Sequence, residues 1–137
     1  MDWQNTTYAL VQIAHNFGAV AVVGTPVFML WAARHGILPG RAPAWLVLCA
    51  WAMQVASGAA FGATSYYWYG AFPDIHGLAV AALAIKMGCA AAGIGLAGLL
   101  LVGRPGREGI LHRRPWNWLL AAGATALTAA AVLRWFS

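Results

Sequence analysis

TYALVQIAHNFGAVAVVGTPVFMLWAA, residues 7–33, contains no charged residue. A transmembrane helix needs about 20 consecutive, mainly apolar residues, so this run is long enough to cross a bilayer. It also carries Gln12, His15 and Asn16. In hydrocarbon each of these groups must be hydrogen-bonded or bound to something, because no water is there to satisfy it. The stretch therefore predicts the solvent of the fold and marks the residues that need explaining in that solvent.

The rest of the chain agrees. It is 62% hydrophobic and 8% charged, against about 25% charged residues in a soluble domain. Apolar runs recur at 44–63, 75–102 and 116–133. These predict an all-α integral membrane protein, with transmembrane helices at about 7–33, 44–63, 74–102 and 116–135. Short loops make neighbouring helices antiparallel, giving a four-helix bundle. No internal repeat or linker interrupts the chain, so 1–137 reads as one domain. The opening MDWQNTT is acidic, and polar residues break any leader-like apolar core, so the first helix is expected to be retained.

Charge sets the orientation. Arg34 and Arg41 follow the first span; Arg104, Arg107, Arg113 and Arg114 follow the third. The other side carries Asp2, Asp74 and Arg134. Basic loops stay in the cytoplasm, so both termini are expected on the outer, periplasmic side of a bacterial inner membrane. The net charge of +5 is accounted for by these loops and does not indicate a nucleic-acid partner.

The segment TSYYWYGAFPD, 64–74, reads as a loop with five aromatic residues, typical of a membrane interface. Asp74 is a candidate N-cap for the third helix. Gly88/Ala92 and Gly93/Ala97 have the small-xxx-small spacing that lets membrane helices approach closely.

The intramembrane polar groups fall at similar levels. At 1.5 Å rise per residue, His15 lies roughly 12 Å deep, Gln54 roughly 13 Å and Lys86 roughly 18 Å. They also share faces: Gln12, His15 and Asn16 are spaced i, i+3, i+4 on helix 1, and Gln54, Ser57 and Phe61 form a stripe on helix 2. Lys86 lies beside a third stripe on helix 3 that begins at His76. An ammonium at that depth is by default a functional-site candidate, and no acid is available at its level. His15 is either a structural histidine bonded to Gln54 or Ser57, or an axial haem or metal ligand. His76 is a second candidate ligand nearer the interface. His35 and His112, in basic loops, take the plain solvated reading. Met53, Met87 and Cys89 raise copper, since soft ligands suit Cu(I), although all three are also ordinary apolar filler. Cys49 and Cys89 lie inside spans, so no disulfide framework is implied.

HNFGAVAVVG in helix 1, SGAAFG in helix 2 and LAIKMGCAAAG in helix 3 resemble the superfamily of small four-helix membrane proteins that includes the copper-resistance protein D domain and the HemJ-type protoporphyrinogen oxidases. In the HemJ branch a first-span histidine and a third-span lysine are implicated in b-type haem binding, and His15 and Lys86 match those positions. The resemblance implies a small b-haem redox or electron-transfer protein, a subunit of a larger respiratory or oxidase complex. His15 would be one axial ligand and Lys86 or His76 the second; Gln12, Asn16, Gln54 and Ser57 would orient ligands or bond propionates. The expected partners are the lipid bilayer, other membrane subunits, and a periplasmic electron-transfer protein or a quinone. If the chain is enzymatic, it is an oxidoreductase subunit. The alternatives are a copper-binding or copper-transporting membrane protein using His15, His76 and Lys86 or a methionine, and a cofactor-free structural subunit.

Overall fold

The computed structural model describes residues 2–37, 40–102 and 113–136. Among them are four helices: α1 (Trp3–Arg34), α2 (Ala42–Tyr69), α3 (Leu78–Val102) and α4 (Arg113–Phe136). Each is long and apolar enough to cross a membrane, as a multi-pass membrane protein requires. Each packs mainly on two neighbours, in the ring α1–α2–α3–α4 and back to α1.

The helix ends differ from the sequence reading, each for a local reason. α1 begins at Trp3 because the Asp2 carboxylate accepts the N–H groups of Gln4 and Asn5, satisfying donors that a helix start leaves free. α2 runs on to Tyr69, so most of the expected aromatic loop is helix, and the tyrosines ride on its last turns. Gly70, at φ +66°, ends it by donating its N–H to the Tyr66 carbonyl, a conformation that suits glycine. Asp74 is not the N-cap of α3. Gly77, at φ +51°, breaks the helical path before Leu78, and Asp74 instead pairs with His76 at 3.2 Å. α4 begins at Arg113, since Pro115 sits in the first turn, where its missing N–H costs nothing. Arg113 and Arg114 are therefore helical. Arg104, Arg107 and His112 lie outside the described residues.

Long-range contacts identify the two ends of the ring. At one, the Gln4 amide donates to the Tyr69 hydroxyl at 2.6 Å, and Leu78 shares a shallow groove with Val132. At the other, the Arg41 guanidinium donates to the Leu101 carbonyl at the end of α3.

The two ends are filled differently. Toward Arg41 the centre holds Trp51, Trp116, Met29, Leu119 and Val47, all essentially fully buried. The Trp51 indole packs against Gly93, where a Cβ would overlap the ring. Gly123 of α4 packs similarly on α1, with room for a Cβ only 3.1 Å from Val22 Cγ1. Toward Tyr69 a cleft of about 650 Å³ opens between all four helices, lined by alanines and Gly58 together with Trp51, Phe61, Leu127 and a set of polar side chains. The small residues of α3 divide accordingly: Gly93 and Ala97 face the core, while Gly88 and Ala92 face outward.

Candidate functional site

The cleft wall is polar in one place. His15 of α1 is held from two sides by α2. The Gln54 side-chain amide donates to the His15 carbonyl at 2.5 Å, and the His15 ring Nδ1 lies 2.7 Å from Ser57 Oγ. Gly18 makes the first contact possible, because a Cβ there would sit 2.7 Å from the Gln54 amide nitrogen. Lys86 reaches in from α3, its Nζ 3.2 Å from His15 Nε2. The Phe61 ring stands edge-on to the imidazole at 5.7 Å, and Tyr8 stacks on Phe61.

These contacts determine how the imidazole carries its proton. Ser57 Oγ lies 2.6 Å from the Met53 carbonyl. A carbonyl only accepts, and a serine has one hydrogen to give, so that hydrogen goes to Met53. The hydroxyl oxygen must then accept from His15 Nδ1–H. In the neutral ring this leaves Nε2 with its lone pair free, directed at Lys86, which accordingly donates to it. Among the described residues no carboxylate lies within ion-pair distance of Lys86, which has an imidazole beside it instead.

The structure brings together His15, Gln54, Ser57 and Lys86 from three helices. Gln12 and Asn16 line the same cleft and bond one another at 2.7 Å. His76 stands apart, 81% exposed beside Asp74, and does not line the cleft. Met87 lines it; Met53 contributes only its backbone carbonyl, and Cys89 is half-buried elsewhere. His35 closes α1, its Nδ1 donating to the Trp31 carbonyl at 2.9 Å. One lining residue had no place in the sequence reading of the site. Arg134 faces the cleft together with Leu127, Ala130 and Ala131, and the i, i+3/i+4, i+7 spacing of Leu127, Ala130/Ala131 and Arg134 was the available signal.

The donor set suits some metal chemistries better than others. A transition metal held by protein alone takes three or four side-chain ligands. Among the described residues no three His, Cys, Asp or Glu side chains converge. A b-type haem brings four nitrogens of its own and asks the protein for axial donors and apolar surroundings. His15 and Lys86 would be the residues to hold such a group, and the flexible stem of Lys86 would let its Nζ move away from His15 Nε2, 3.2 Å distant, to admit it. The cleft volume lies within the range of about 300–1,000 Å³ usual for cofactor sites. The residues present fit the group.

No protein-family model, curated protein or solved structure matches this chain.

Proposed function

We propose that this chain is a small b-haem-binding redox protein of the bacterial inner membrane, an antiparallel bundle with both termini on the outer side. The observation that carries the reading is the placement of the His15 ring between Ser57 on one side and Lys86 on the other. Ser57 accepts the Nδ1–H hydrogen bond and leaves Nε2 as the acceptor facing Lys86, the tautomer that a metal-ligating histidine uses. Lys86 supplies a second nitrogen across from it. Gln54 anchors the helix segment that bears His15, and Gly58, Ala59, Ala130 and Ala131 provide flat apolar walls. Bound haem supplies one-electron chemistry at iron, tuned by its axial ligands and by burial. The resemblance to the HemJ and copper-resistance D group supports the same pair of ligands, and the two-donor geometry favours haem over a bare copper ion. The exposed aromatics Tyr66, Tyr67 and Phe72 offer a surface for a second subunit, a periplasmic electron-transfer partner or a quinone.

The test is a visible spectrum of the detergent-purified protein, oxidised and dithionite-reduced. We expect a Soret band and sharp reduced α and β bands, lost in His15→Ala while the helical circular dichroism is kept. A colourless protein that takes up no haem on reconstitution would overturn the reading.

A further inference from the structure

Lys86 and Arg134 line one cleft, and no carboxylate does. The rest of the lining is apolar apart from a few neutral polar side chains. A cavity with a guanidinium among its lining and no acid complements an amphiphilic anion. Lys86 and Arg134 lie at different levels. Leu78 and Val132 border a common groove, so Arg134, two residues further along α4, sits about level with the start of α3. Lys86 is eight residues into α3 from Leu78, which places it about 12 Å further along the bundle axis. Lys86 is half-buried next to His15, whereas Arg134 is exposed at the cleft mouth.

We propose that Arg134 is a carboxylate-binding residue: it holds the acid edge of the cleft ligand while the apolar body lies below, against the alanine walls. Resting on the haem reading, this assigns the haem propionates to Arg134 and orients the macrocycle with its acid edge toward the Tyr69 end. Guanidinium suits the task because its planar fork meets a carboxylate with two parallel hydrogen bonds. Gln12 and Asn16 line the same cleft and hold each other with one bond, which leaves amide hydrogens free for a second carboxylate. The competing role for Arg134 is anchorage alone, with the side chain extended into interfacial water.

The experiment titrates the full-length protein in nanodiscs with haem b and, separately, with haem b dimethyl ester, following Soret growth. Wild type, Arg134→Gln and Arg134→Lys are compared. We expect wild type to bind the ester about tenfold or more weakly than haem b. Arg134→Gln should lose a similar factor for haem b and nothing further for the ester, the pattern of a direct pair; Arg134→Lys should recover part of the loss. Equal affinity of wild type for acid and ester, or an unchanged haem b affinity in Arg134→Gln, would overturn the assignment and leave Arg134 an anchor. Failure of wild type to bind either porphyrin would remove the haem reading itself, and this inference with it.

Discussion

The two halves of the bundle are built from the same four helices and solve opposite problems. Toward Arg41 the helices meet on large rings: Trp51 against Gly93, with Trp116, Met29 and Leu119 around them. Toward Tyr69 the same helices present Gly58, Ala59, Ala126 and Ala130, and the centre stays open. In a soluble protein an unfilled centre opposes the hydrophobic effect. In lipid that driving force between helices is absent, and association rests on close packing and interhelical hydrogen bonds. The filled half supplies the first and the open half the second. His15, Gln54, Ser57 and Lys86 join α1, α2 and α3 across the cleft rim without closing it. The large buried rings thus dominate one half and the cleft the other, with Trp51 bordering both.

The sharpest way to break this division is at Trp51. Truncating a buried tryptophan costs about 3–5 kcal/mol, so Trp51→Ala, where the filled half borders the cleft, should lower the SDS-unfolding midpoint more than a change at Ser57 or Gly88. A midpoint equal to wild type would mean that the filled half does not carry the fold. Gly93→Ala attacks the same contact from the other side. Overpacking costs about 1–3 kcal/mol, and calorimetry in detergent should show a clear fall in melting temperature. In the open half the expectation reverses. Ser57→Ala removes one hydrogen bond, and such bonds in membranes average about 0.6 kcal/mol. Its effect should appear in the ligand instead, as a 10–100-fold loss of haem affinity of the kind that follows loss of a histidine's partner, about the size seen at other metal sites. A large melting shift with unchanged Soret titration would assign Ser57 to scaffolding. The smallest effect belongs to Gly88, where a Cβ meets nothing within 4 Å. Gly88→Ala should leave melting and haem uptake within error, about ±0.5 kcal/mol; a marked loss in cells but not in detergent would reveal a partner helix on that face.

How much of this was legible beforehand follows the same division. Four helices long and apolar enough to cross a membrane were plain from charge depletion alone, and the 3.6-residue period put Gln12, His15 and Asn16 on one face and Gln54 and Ser57 on another. Rise per residue then matched their levels, and the structure does bring His15, Ser57, Gln54 and Lys86 together. The period gives which residues share a face but not which neighbour that face meets. Arg134 was thus read only as a terminal charge, and the seating of Trp51 on Gly93 was invisible. Gly93 carried a small-xxx-small signal that fitted the interior, a partner or a cofactor equally well. Helix ends were read poorly because capping is decided by single residues. Asp2 started a helix within a polar stretch, and Gly77 displaced Asp74 from the role its residue type suggested. His76 heads the nominal stripe beside which Lys86 lies, yet it precedes that break and so never joins the helix face.

Trp51 carries one more property. Its indole N–H is buried and, among the described residues, finds no hydrogen-bond acceptor. Such a proton can trade with deuterium only when the surrounding helices part. The tryptophans at the bundle surface, Trp3, Trp118 and Trp135 among them, have no such protection. The slowly exchanging indole resonance of Trp51 would therefore time the breathing of the filled half, in a protein otherwise at rest in its native membrane mimic, without denaturant and without any added label.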